Sequence, residues 1–108
     1  MKDFRPEPLA IQQALELGGR IRIARQRREL RLQDVAEKAR VDRKTVMAIE
    51  KGSLTTSLGA YLAVLNCMNL SAEVGLVADP ALDREGALLV YDPQTRRVRT
   101  SRKLDHDF

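Results

Sequence analysis

Apolar spacing gives the first outline of this chain. Pro6 and Pro8 open a stretch, residues 9–29, that predicts a helix with Ile21 and Ala24 on its inner face and Arg22, Arg25 and Arg28 spread over the rest. Gly18-Gly19 weakens its middle, so residues 1–18 are expected to form an N-terminal arm or a helix extension. Leu32, Val35, Ala36 and Ala39 recur at the spacing of a buried stripe and predict a second helix, residues 32–39. Asp42 is a suitable N-cap for a third, residues 43–50, with Val46 and Ile49 inward and Gly52 as a left-handed stop. Thr55-Thr56-Ser57 supplies the next cap, and residues 58–68 predict a fourth helix with Leu58, Leu62, Leu65 and Met68 in register. The period then changes. Leu70, Ala72, Val74, Leu76 and Ala78 alternate with Ser71, Glu73, Gly75 and Val77, which predicts a strand over residues 70–78, stopped by Asp79-Pro80. Residues 87–91, the turn Asp92-Pro93-Gln94-Thr95 and residues 97–100 fit a hairpin, and residues 101–108 a loose tail.

The second and third of these helices carry the informative motif. Two short helices meet at a tight turn, a small residue (Ala36) stands where they cross, and Val35, Val41, Val46 and Ile49 lock their angle. These are the requirements of a helix-turn-helix. The run Leu32-Gln33-Asp34-Val35-Ala36, then Arg40-Val41-Asp42, then Val46-Met47-Ala48-Ile49-Glu50-Lys51-Gly52 resembles the Xre/Cro-type family of phage repressors and bacterial regulators. The resemblance covers residues 19–70. It implies a mainly α, lambda-repressor-like bundle of four to five helices whose third helix enters the major groove. Arg43 and Lys44 would then lie over base edges, able to donate to guanine O6 and N7, with Met47 and Ala48 one turn later offering apolar contact. Thr45, Lys51, Thr55 and Thr56 fall where the family touches phosphate, and Arg25 and Glu50 where relatives carry a structural ion pair. Three positions depart from the family pattern. Glu29 and Arg40 replace glycines and must take a left-handed conformation or another turn. Arg31 stands where Ser or Thr would cap the second helix, and is an alternative phosphate ligand. Leu32 replaces a Gln that touches DNA.

The helix-to-strand change after residue 68 is similar to HipB-type antitoxins, whose strand pairs with its twin across a two-fold axis. A lone strand leaves backbone groups unpaired, so Leu70, Ala72, Val74 and Leu76 are expected at a homodimer interface. Pairing with residues 87–91 of the same chain is the alternative. The division expected is thus 1–18, a DNA-binding domain over 19–69, a dimerisation strand and hairpin over 70–100, and a tail over 101–108. A kinase-like toxin is the partner that the HipB resemblance implies.

Charge and composition narrow the function further. Between residues 20 and 51 there are eleven Lys or Arg against five Asp or Glu, a local net of +6 within a chain of net +4. A basic segment on a near-neutral body suits a polyanion. No apolar run reaches the length of a membrane span and no secretory signal is expected, which with a single Cys67 points to the cytoplasm. Catalysis needs clustered titratable groups; the only His, His106, stands in the tail between Asp105 and Asp107, and neither a metal-ligand spacing nor a phosphate-cradling glycine loop is present. No enzyme activity, cofactor or metal is expected. The sequence predicts a transcriptional repressor that binds a palindromic operator as a homodimer, as the autoregulating antitoxin of a HipBA-like system. A partner-neutralising interaction module with little DNA binding, and a phage-type or stress regulator without a toxin, remain as alternatives.

Overall fold

The computed structural model describes residues 4–91 and places them in two compact units, Met1–Ala72 and Glu73–Phe108. The first unit holds four helices: α1 (Pro8–Arg27), α2 (Leu32–Ala39), α3 (Arg43–Glu50) and α4 (Leu58–Cys67). Each ends in the same way. A residue of positive φ follows the last turn, its N–H bonds back to one carbonyl, and the next N–H bonds to a carbonyl further back. Glu29, Arg40, Gly52 and Asn69 hold that left-handed position, at φ 56°, 61°, 86° and 61°. The closing bonds, from Leu30 to Arg25, Val41 to Ala36, Ser53 to Ala48 and Leu70 to Leu65, are 2.8–3.1 Å long. Glu29 and Arg40 therefore take the left-handed geometry that glycine favours, rather than a different turn.

α1 runs unbroken across Gly18-Gly19. Gly18 is a close-approach position: a Cβ there would strike the Ile49 carbonyl oxygen and come within 2.8 Å of that of Glu50. Gly19 has nothing within 4 Å of its Cβ position. Gly18 thus seats α1 on the end of α3, and the glycine pair does not break the helix. The core is aliphatic. Ile21 and Ala24 from α1, Val35, Ala36 and Ala39 from α2, Val46 and Ile49 from α3, Val64 and Leu65 from α4, and Met68 just after it are buried together. Arg28 fastens the rim of this core by donating to the carbonyls of Ala24 (2.9 Å) and Met68 (3.2 Å).

α4 departs from its expected register. Leu58 is 71% exposed, Leu62 is half-buried, and Val64 is fully buried in their stead. Its sequence LGAYLAVLNC is apolar nearly all round, so spacing alone could not select the inner face. Cys67 is half-buried there, its thiol donating to the Val64 carbonyl at 3.1 Å, and burial raises its pKa.

Two expectations for the second half of the chain are overturned. No strand forms among the described residues, and 70–78 follows a course of tight turns with a 3-10 turn at Val74–Leu76. Local bonds hold these turns, from Leu76 N–H to Glu73 O (3.0 Å), Val77 to Val74 (3.1 Å) and Asp79 to Leu76 (3.1 Å). Leu70, Val74 and Val77 also stand at i, i+4 and i+7, a helical spacing that the two-residue alternation hid. Leu70 and Val74 are half-buried and Ala72 and Leu76 exposed, so the four residues expected at a dimer strand share no alternating face. Residues 87–91 are likewise not a strand but the end of α5 (Arg84–Tyr91). Asp83 caps that helix by accepting from Gly86 N–H at 2.9 Å, as Asp79 caps the 3-10 turn Pro80–Leu82 through Ala81 N–H. A five-residue apolar run does not distinguish strand from helix; the Asp83 cap decides it. The expected turn at 92–95, the arm at 97–100 and the tail at 101–108 lie outside the described residues.

Candidate nucleic-acid interface

α3 has two unlike faces. Val46 and Ile49 are fully buried, whereas Arg43 and Lys44 are exposed and Thr45, Met47 and Ala48 half-buried. The four residues expected over base edges, Arg43, Lys44, Met47 and Ala48, thus come together on the outward side of one eight-residue helix. Asp42 precedes it in extended conformation (φ −71°, ψ 150°), but its carboxylate accepts no bond from the helix. The N–H groups of Arg43 and Lys44 thus gain no side-chain cap, while Thr45 N–H bonds to the Asp42 carbonyl at 2.9 Å.

The far end of α3 is pinned by an ion pair. Arg25 Nε and Nη2 meet both Glu50 carboxylate oxygens at 2.7 and 3.1 Å, while Nη1 donates to the Leu30 carbonyl at 2.9 Å. The side chains are only 13% and 8% exposed. The hydrogen bond to Glu50 raises the Arg25 pKa against the opposing effect of burial. One guanidinium so joins α1, the turn after it and the C-terminus of α3. This is the positioning role expected of the pair, whose polar groups are spent on each other and on the Leu30 carbonyl.

Phosphate-binding candidates separate into distinct environments. Thr45 and Thr56 line an open polar recess between the N-termini of α3 and α4, together with Arg40, Val41, Asp42, Ser57 and Ala60. Ser57 Oγ accepts from Ala60 N–H at 3.1 Å, which caps α4 and leaves the hydroxyl proton for a ligand. Thr56 spends its own proton on Ser53 Oγ at 2.8 Å, and Ser53 Oγ also accepts the Thr55 and Thr56 N–H groups, folding the loop into a compact knot. Tyr61 secures that knot from α4 by donating its hydroxyl to the Ser53 carbonyl; partial burial raises its pKa. Thr55 stays exposed on the loop, and Lys51 is exposed at the opposite end of α3.

Arg31 is 81% exposed, but its guanidinium is held by Asp34 at 2.9 and 3.2 Å. The same carboxylate accepts the Arg31 backbone N–H at 2.8 Å and ties the N-cap residue to the first turn, while Arg31, which has no acceptor, leaves the first-turn N–H groups of α2 without a side-chain cap. These bonds hold the Asp34 pKa down at about 2. Arg40 and Ser57 were not picked out by sequence as part of the recess. The signal available for Ser57 was its cap position; for Arg40 it was its place at the turn between α2 and α3.

With the inner faces of α2 and α3 buried against each other, exposed Arg43 and Lys44 on α3 and helix N-termini beside them, the geometry is that of a DNA-reading unit. A family described as a helix-turn-helix domain matches residues 16–74. The chain belongs to the helix-turn-helix domain family. The match spans the whole stretch on which the Xre/Cro-type resemblance rests, from the middle of α1 to just past α4. No curated protein and no solved structure matches the chain. The helix-turn-helix domain ends close to where the first compact unit ends, at Ala72. No described helix is long and apolar enough to cross a membrane.

Proposed function

We propose that this helix-turn-helix protein is a sequence-specific DNA-binding transcriptional regulator that inserts α3 into the major groove and represses by occupying its operator. The observation that carries the reading is the pairing of exposed Arg43 and Lys44 at the start of α3 with the Arg25–Glu50 clamp at its end. A reading helix must present donors and must also be held still. Arg43 and Lys44 are the guanine-reading donors, Met47 and Ala48 supply apolar contacts, and Thr45 and Ser57, with the uncapped N–H groups of Arg43 and Lys44, grip phosphate. Lys51, Thr55 and Thr56 follow the same backbone, and Arg31 contributes only if DNA displaces it from Asp34. The function is binding, without a chemical step or cofactor, and it is exercised in the cytoplasm wherever the protein meets the nucleoid.

A homodimer on a palindrome remains part of the reading, because one eight-residue helix reaches few base pairs and a second doubles the site. The strand expected at 70–78 does not form in the single chain, so the reading no longer rests on it. The antitoxin reading depended on that strand, and the turns at 70–78 remove the feature that led to a kinase-like toxin. The regulator reading stands without it. Selection of bound duplexes from a random pool by the full chain is the test. An inverted repeat with half-site centres about one helical turn apart is expected; a pool that converges on no sequence contradicts the proposal.

A further inference from the structure

A second recess lies on the outward side of α3, between the start of α2 and the end of the recognition helix. It is lined by Arg22, Arg25, Leu32, Met47, Glu50 and Lys51 and encloses about 230 Å³. Its chemistry is unusual for a surface otherwise rich in cations. The Arg25 guanidinium and Glu50 carboxylate are spent on each other and on the Leu30 carbonyl, so they form a closed, neutral wall. The two side chains that remain without polar atoms to pair are Leu32 and Met47, both half-buried and both open to solvent. Arg22 and Lys51 stand at the rim, exposed, and make no ion pair among the described residues. Met47 is four residues after Arg43, on the same face of α3, so the recess continues the surface that carries the guanine-reading donors.

We infer that this recess reads the C5-methyl group of a pyrimidine in the major groove, with Leu32 and Met47 as its apolar floor and Arg22 and Lys51 on the neighbouring phosphates. The inference rests on the DNA-binding reading above and names part of what that site recognises. A base edge that presents N7, O6 or an exocyclic amine loses its bonds to water over Leu32 and Met47 and gains none. The only major-groove feature that gains there is a methyl group, which thymine carries at C5 and which 5-methylcytosine carries at the same position. Leu32 therefore does more than lose the polar contact that a Gln would make: it changes the base that is accepted.

The experiment uses the full chain and the operator returned by selection from a random pool. Each thymine of the half-site is replaced in turn by deoxyuridine, which removes the methyl group and leaves the pairing edge intact. In a parallel series each cytosine is replaced by 5-methylcytosine. The inference expects one position per half-site at which the methyl group is worth about fourfold in affinity, the equivalent of about 0.8 kcal/mol for one buried carbon. A loss with deoxyuridine assigns the methyl group to thymine, and a gain with 5-methylcytosine assigns it to methylated cytosine. That response must vanish in the Leu32→Ala/Met47→Ala double variant, its helix content checked by circular dichroism. A defined operator indifferent to every methyl group overturns the inference while leaving the regulator reading intact. So does a response that persists in the double variant. Failure to obtain any preferred sequence overturns both.

Discussion

Glu29 and Arg40 hold the left-handed position at the ends of α1 and α2, where a Cβ crowds the following carbonyl at a cost of about 1–2 kcal/mol. Glycine removes that cost but loses about 0.5–1 kcal/mol in chain entropy. Glu29→Gly and Arg40→Gly should each raise stability by about 0.5–1 kcal/mol in urea unfolding, whereas Gly52→Ala should lower it. The paired glycines of α1 allow a sharper contrast. Gly19→Ala should stabilise by about 1 kcal/mol as a mid-helix replacement, while Gly18→Ala should cost about 1–3 kcal/mol by driving α1 off the α3 carbonyls. Equal effects at the two positions would contradict the packing described. Asp34 gives a pH signature. Its folded pKa, about 2, lies below the ordinary 3.8, so its stabilisation is complete above pH 3.8 and is lost as pH falls through about 2. Asp34→Asn should destabilise the fold at neutral pH and flatten that acid limb, measured as the urea midpoint against pH.

Among elements, α2 and α3 were legible to the residue because each pairs a clear apolar stripe with a polar face. α4 was legible as a helix but not in its orientation, since an apolar cylinder carries no phase; that is why Leu58 was expected inside and Val64 was missed. The segment 70–78 failed for a different reason. Its alternation and its three-to-four spacing coexist, and local turns win over a strand with no partner. The Arg25–Glu50 clamp was foreseen from family position, but its third bond, to the Leu30 carbonyl, appears only in three dimensions. Arg25→Ala leaves the part-buried Glu50 carboxylate without its partner, and should cost about 1–3 kcal/mol. DNA affinity should fall at a temperature where the variant is still folded, although Arg43 and Lys44 are untouched. Retained affinity with lost stability would show that α3 does not need the clamp to read DNA.

At the scale of the whole chain, the local net of +6 over residues 20–51 and the −2 of the remainder describe a molecule whose attraction to a polyanion is concentrated on its helix-turn-helix. Charge explains affinity but not selectivity, because phosphate contacts are the same on every sequence. The proposed reading puts selectivity on the outward face of α3. The recess at the N-termini of α3 and α4 was only half legible, since Arg40 and Ser57 join it through a turn and a cap, not through any spacing along the chain. The most direct test compares affinity for the selected operator with affinity for a scrambled duplex, at one fixed salt concentration, for the wild-type chain and for Arg43→Ala. The account predicts that the substitution weakens operator binding by about 1–3 kcal/mol while changing scrambled-duplex binding little, so that the specificity ratio collapses. An unchanged ratio would contradict it and would take base reading away from α3.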